Sequence, residues 1–183
     1  MIARIKHDRI FLPDEAVDHI QGLVTAPVTV IEYGDFECLA CYQAYNSLKI
    51  MLAHFGPQVC FVFRHYPLRE LHPNAELAAE GAEAAGAQGQ FWPMYELLFT
   101  HQQFLKEKHL LDYAVQLGMD LARFRNELTD HVYLQRVQEN MQGGAHLGVR
   151  STPAFYVNGV FADVSFGFEH LHQAIDLALQ STR

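Results

Sequence analysis

Two cysteines three residues apart, Cys38 and Cys41, stand between a strand-like run and an amphipathic helix. On a helix, residues i and i+3 share one face, so the two sulfurs can come close enough to form a disulfide. The first turn of a helix also carries unpaired N–H groups and the positive end of the helix dipole, and both favour a thiolate. The spacing therefore predicts a redox dithiol with Cys38 as the nucleophile and Cys41 as the resolving cysteine.

The third cysteine, Cys60, lies within the apolar run 59–63. A small, odd number of cysteines argues against the disulfide framework of a secreted protein. We therefore interpret Cys60 as a small buried hydrophobic residue beside one reactive pair.

The segments on either side of the dithiol predict a strand, a helix and a second strand. Residues 27–33 are rich in β-branched side chains, and Glu32 is the one acid among them. After Cys38 the apolar positions recur at steps of three and four until Gly56, and residues 59–66 form a second apolar run. This order is typical of a βαβ unit, in which the two strands are parallel.

The middle of the chain predicts helices only, and its end predicts strands again. Asn74 is a candidate cap for the first of five helical segments, which cover residues 75–87, 91–103, 108–117, 121–129 and 132–147. Asn158-Gly159 separates two apolar runs, 154–157 and 160–164, and this dipeptide is a strong signal for a type I′ hairpin turn. A last helix is predicted over residues 168–179, whereas residues 1–26 read as an irregular or partly extended lead-in.

Composition excludes several classes of function. The net charge is -8, and Lys and Arg form no cluster that could neutralise phosphates, so no nucleic-acid partner is expected. No apolar run approaches the roughly 20 residues that span a bilayer. Residues 1–11 carry scattered charges where a signal peptide has an apolar core, which predicts a cytoplasmic protein, or a periplasmic one if a signal has been removed. The chain has neither zinc-finger spacing nor a Ser-His-Asp arrangement.

Three motifs resemble those of the DsbA-like thiol-disulfide oxidoreductases: Glu-Tyr-Gly-Asp-Phe-Glu-Cys-x-x-Cys at 32–41, Phe-Arg-His-Tyr-Pro-Leu at 63–68, and the run 148–159 around Thr152-Pro153. The resemblance implies an α/β thioredoxin-like fold with an inserted all-helical subdomain. The thioredoxin-like part would comprise residues 1–66 and 149–183, and the helical insert residues 67–148. Pro153 would be cis and face the dithiol, although a proline that simply starts a strand is the alternative.

The resemblance also implies roles for individual residues. The backbone of Thr152 would pair with an extended substrate segment. Glu32 would accept a proton from Cys41, with its pKa raised by burial, and the alternative is a carboxylate bonded to a backbone N–H. The implied function is exchange of disulfides with protein or small thiol substrates, with an unknown recycling partner and with no cofactor beyond the Cys38-Cys41 disulfide.

The dipeptide Leu39-Ala40 departs from the pattern of the strongly oxidising members, which carry a histidine that stabilises the thiolate. The charges of Asp35 and Glu37 should in addition raise the pKa of Cys38. We therefore expect a reduction potential well below that of the strong oxidants. Two other functions remain open: a redox-sensing or binding module, and a kappa-type glutathione transferase or isomerase, although that group usually has serine at the first cysteine position.

Overall fold

The structure is a computed structural model that describes residues 10–181. The part of the predicted lead-in that precedes residue 10 lies outside these residues.

Five strands form one sheet in the order β1-β3-β2-β4-β5. They are β1 (His19–Gln21), β2 (Val28–Gly34), β3 (Val59–His65), β4 (Ala154–Val157) and β5 (Val160–Ala162). Strand β1 is antiparallel to β3, and β4 is antiparallel to both β2 and β5. The central strands β2 and β3 are almost wholly buried, as their continuous apolar sequences indicate.

Seven α-helices accompany the sheet in the described part of the chain. They are α1 (Leu39–Phe55), α2 (Ala75–Gly86), α3 (Phe91–Thr100), α4 (Glu107–Gln116), α5 (Leu121–Thr129), α6 (Leu134–His146) and α7 (Glu169–Ser181). A short 3₁₀ turn, Gly56–Gln58, follows α1. The predicted mixed α/β architecture is confirmed.

The strand–helix–strand order around the dithiol is also confirmed, since α1 connects the neighbouring strands β2 and β3. Their parallel direction stays a prediction. The hairpin of β4 and β5 turns at Asn158 and Gly159, whose φ angles of 47° and 81° are the positive values that a type I′ turn requires. Sequence reasoning missed strand β1, because its three residues lack any periodic pattern.

One compact unit contains residues 10–33, 44–64 and 153–181. Helix α7 packs on β4 and β5. The core of this unit is built from fully or nearly fully buried side chains: Val28, Val30, Ile31, Phe61, Phe63, Phe155, Leu171 and Ile175. The guanidinium of Arg64 donates two hydrogen bonds of 2.8 Å to the carboxylate of Asp18, which ties the segment before β1 to strand β3.

The second compact unit contains residues 34–43 and 65–152, and therefore both Cys38 and Cys41. Helix α2 is alanine-rich and packs against α3, α4, α5 and α6, because small side chains let neighbouring helices approach it closely. The largest wholly buried side chains of this unit are Phe36, Met94, Leu98, Phe99, Leu105, Leu110 and Phe124. The insert boundaries at 67 and 148 stay a prediction. Among residues 10–181, no helix has both the length and the apolar character needed to cross a bilayer.

Candidate active site

The dithiol occupies the beginning of helix α1. Cys38 directly precedes Leu39, the first residue of the helix, and its carbonyl accepts a hydrogen bond of 3.2 Å from the N–H of Tyr42. Both cysteines are free thiols; the side chain of Cys41 is wholly buried, whereas Cys38 retains 7% of its exposure. Leu39 between them is 66% exposed, so the motif lies at the surface, and Cys38 is the more exposed of the two cysteines.

The environment of Cys38 stabilises a thiolate. A hydrogen bond from the Cys41 thiol lowers the pKa of Cys38 most, and burial opposes this effect. Hydrogen bonds from the Thr152 side chain and from the N–H groups of Cys41 and Ala40 lower the pKa further, to about 5. These two N–H groups belong to the start of helix α1, as expected for a thiolate at a helix N-terminus. At neutral pH Cys38 is therefore ionised.

Thr152 lies beside Cys38. When Cys38 is protonated, its thiol donates a hydrogen bond of 3.3 Å to the carbonyl of Thr152. The Thr152 hydroxyl is buried and has no other hydrogen-bond partner among residues 10–181, which leaves it available to the thiolate. Pro153 follows, directly before β4, and its cis isomer stays a prediction. The pairing of the Thr152 backbone with a substrate likewise stays a prediction.

Glu32 lies inside the central strand β2, opposite Phe155 of β4 in the antiparallel register. Its side chain is wholly buried. Burial of an acid in an apolar strand fits the predicted role as a proton acceptor, and that role stays a prediction.

The pKa of Cys38 is lowered although two carboxylates lie close to it in the sequence. We predicted that Asp35 and Glu37 raise this pKa; the net shift is downward and its causes are the hydrogen bonds of Cys41, Thr152 and Ala40, opposed by burial, so the contribution of the two carboxylates stays a prediction. The carboxylate of Asp35 accepts hydrogen bonds of 2.8 Å from the N–H groups of Glu37 and Leu68, and that of Glu37 is held by both the N–H and the side-chain amide of Asn74. Both carboxylates are thus bound to other donors than the thiol.

The candidate cap of helix α2 also needs correction. Asn74 occupies the N-cap position, but its side chain makes no capping hydrogen bond. It donates instead to Glu37, at 2.7 Å. The side chain that we assigned to a helix end therefore holds the segment before the dithiol.

Gln102 was not predicted as a site residue. Its amide donates to the carbonyls of Phe36 and Cys38, at 2.8 and 2.9 Å. Together with Leu39 and Phe104, which are both exposed apolar side chains, it lines a groove of about 550 Å³. The groove places apolar surface next to the motif, where an extended segment of a substrate could bind.

Cys60 does not belong to this site. It is wholly buried within strand β3, and burial raises its pKa to about 11. The prediction of a buried hydrophobic residue is confirmed, and Cys60 stays a thiol at neutral pH.

The chain is similar to known proteins over most of its length. The sequence model of the family described as Thioredoxin matches residues 14–177. The chain belongs to the thioredoxin family. Among curated relatives of this thioredoxin-family chain, the Na(+)/H(+) antiporter NhaA 1 of Salinispora arenicola is 45% identical over 166 residues, which are 91% of this chain and 25% of the antiporter. The chain thus spans about a quarter of the length of the curated relatives it matches.

Solved structures show the same fold at low sequence identity. Oxidised BdbD from Bacillus subtilis superposes with a TM-score of 0.82 at 20% identity, covering 92% of this chain and 96% of that one. The α-DsbA1 of Wolbachia pipientis gives a TM-score of 0.78 at 18% identity and covers 96% and 97% of the two chains. The predicted DsbA-like thioredoxin fold is confirmed.

Proposed function

We propose that this chain is a thiol-disulfide oxidoreductase that exchanges disulfides with protein or small thiol substrates through Cys38 and Cys41. The observation that carries this proposal is the low pKa of the Cys38 thiol, about 5, at a helix start where Cys41 is its hydrogen-bond donor. A thiolate is the reactive form in thiol exchange. The family and the fold support the same activity.

The reaction has two exchange steps. The Cys38 thiolate attacks one sulfur of a substrate disulfide; a new sulfur–sulfur bond joins Cys38 to the substrate, the substrate disulfide breaks, and the leaving thiolate takes up a proton. Cys41 then loses its proton and attacks the Cys38 sulfur, which forms the Cys38-Cys41 disulfide and releases the second substrate thiol. The substrate gains two electrons from the dithiol and takes up two protons; one proton balances the proton that Cys41 loses, and the other comes from solvent, because Cys38 reacts as a thiolate. Substrate oxidation is the same sequence in reverse.

The stability of the Cys38 thiolate also influences the reduction potential of the Cys38-Cys41 pair. Stabilising the reduced form makes a disulfide more oxidising, and the Cys38 pKa of about 5 lies between roughly 7 for thioredoxin and roughly 3.5 for DsbA. We therefore place the reduction potential between about −270 mV and about −120 mV, the values of those two proteins. Equilibration with a glutathione buffer measures it.

An insulin-reduction assay with dithiothreitol tests the activity. We expect catalytic turnover in the unmodified protein and none in Cys38→Ser, while Cys60→Ser, which changes a buried thiol outside the site, retains turnover. A Cys41→Ser variant should accumulate the mixed disulfide, because the resolving thiol is absent. Stoichiometric oxidation without turnover would contradict the enzyme proposal and favour a redox sensor. Turnover that survives Cys38→Ser would contradict the assignment of the nucleophile.

A further inference from the structure

A histidine from a distant part of the sequence lies against the segment that carries Cys38. The Nδ1 atom of His72 is 2.8 Å from the carboxylate oxygen Oδ2 of Asp35. That side chain of Asp35 is wholly buried, whereas that of His72 is 24% exposed. The N–H groups of Glu37 and Leu68 donate to the same carboxylate.

Three acidic groups close together in the sequence raise the pKa of His72: Asp35, Cys38 and Glu37. The N–H of Cys38 donates a hydrogen bond of 3.2 Å to the carbonyl of Asp35, so Cys38 belongs to the same turn as the residue whose carboxylate contacts His72. Glu37 is held by the backbone and side-chain amides of Asn74, which are neutral donors and leave its charge in place.

Two other charged residues, Arg69 and Glu70, lie in the same loop. Arg69 pairs with Glu76 of helix α2 at 3.0 Å, with half of the arginine side chain exposed, and Glu70 is exposed. Burial on its own would lower the pKa of His72, but the hydrogen bond and charge of Asp35, followed by the charges of Cys38 and Glu37, raise it above its usual range. The local field thus favours an imidazolium at this position.

We propose that His72, held by Asp35, is a positioning residue that supplies a positive charge to the Cys38 thiolate and couples its own protonation to the redox state of the dithiol. The inference rests on the proposed function in one respect, because it takes Cys38 as the reacting thiol. Leu39 and Ala40 offer no charge between the cysteines, so His72 provides from the loop after β3 what a histidine inside the motif would provide. Asp35 fixes the ring and also accepts from the segment that leads to Cys38.

The coupling must be reciprocal. A protonated His72 stabilises the thiolate, so a thiolate must equally stabilise the protonated His72. Oxidation to the Cys38-Cys41 disulfide removes the thiolate charge. The affinity of His72 for its proton should then fall.

A titration of the unmodified protein tests this reciprocity without any variant. The pKa of His72 is measured by NMR in the reduced and in the oxidised protein, and we expect a higher value in the reduced form. His146, an exposed histidine at the end of helix α6, serves as the internal control, and its titration should be the same in both redox states. Equal pKa values for His72 in the two states would overturn the inference.

A second experiment compares His72→Gln with His146→Gln as its matched control. The rate at which iodoacetamide alkylates Cys38 is followed against pH, in a background where Cys41 is serine. In His72→Gln we expect the midpoint to move to higher pH by about one unit, so that alkylation below the midpoint slows about tenfold at equal pH. The equilibrium constant for reduction of the Cys38-Cys41 disulfide by glutathione should fall by a similar factor, which corresponds to a reduction potential lower by about 30 mV for a two-electron couple.

The outcomes separate the two proposals. If His72→Gln and His146→Gln give the same alkylation profile and the same potential, the inference about His72 is wrong, whatever the insulin assay shows. If the profile shifts as expected but the unmodified protein fails to turn over insulin, the inference stands and the oxidoreductase proposal fails. Alkylation requires a reactive thiolate only and therefore does not depend on catalytic turnover.

Discussion

The lowered pKa of Cys38 makes the stability of the reduced protein depend on pH in a way that the oxidised protein cannot share. A cysteine in an unfolded chain has a pKa of about 8.5, whereas Cys38 in the folded protein has a pKa of about 5. Because the folded value is the lower one, the thiolate stabilises the folded state fully above about pH 8.5. This contribution is lost as the pH falls through about 5.

The size of the effect follows from the same two values. Each pKa unit corresponds to about 1.4 kcal/mol, so at pH 7 the thiolate contributes about 3 kcal/mol to the free energy of unfolding. The Cys38-Cys41 disulfide has no thiol to titrate. The thiolate's contribution to the difference in unfolding free energy between reduced and oxidised protein should therefore change by about 1.4 kcal/mol per pH unit between pH 5 and pH 8, in favour of the reduced form as the pH rises.

Urea unfolding at several pH values, with and without dithiothreitol, measures this difference. Cys60 does not interfere, because its pKa of about 11 keeps it protonated throughout the range. The reduced Cys38→Ser variant should lose the pH dependence that the reduced protein shows relative to the oxidised one. A difference that stays constant from pH 5 to pH 8 would refute the argument that the folded state stabilises the thiolate.

Two further predictions concern single contacts. Cys41→Ala removes the hydrogen-bond donor that lowers the pKa of Cys38 most. Because a hydrogen bond to a charged group contributes about 1.5–3 kcal/mol, the pKa of Cys38 should rise by about one to two units in this variant. Cys41→Ser keeps a donor and should shift the pKa of Cys38 less. Thiolate absorbance against pH measures both, and equal values in the two variants would contradict the assignment. Arg64→Leu leaves Asp18 buried without its bidentate partner and should lower the unfolding free energy by about 3–5 kcal/mol, as measured by urea unfolding. The double variant with Asp18→Leu should recover most of this loss, and failure to recover would show that the ion pair itself is not the cause.

Local signals predicted most of the secondary structure. Periodic apolar positions located helices α2 to α6 within a few residues, because an amphipathic helix buries one face whatever its neighbours are. Asn158-Gly159 predicted the hairpin, because the two residues tolerate the positive φ angles of the turn. Strand β1 escaped prediction, since it is defined by its partner Phe61–Phe63 and carries no pattern of its own.

In the candidate site, too, features set by neighbouring residues were predicted, and contacts with distant residues were not. The spacing of Cys38 and Cys41 was sufficient to predict a thiolate at a helix start, because the effect comes from the first helical turn. The partners of Asp35 could not be predicted, because its carboxylate is bonded to His72, 37 residues further along the chain. Neither His72 nor Gln102 carries a local signal that would mark it as part of the site.

The order of the amino acids by itself determined the helices, the central strands, the hairpin and the closeness of two cysteines at the start of one helix, because all of these depend on neighbours within a few positions. Only the tertiary structure decided which side chains meet the Asp35 carboxylate and which carbonyl receives the Cys38 thiol. Those contacts join residues that are tens of positions apart, and their energies depend on distance and burial, which arise only when the chain has folded.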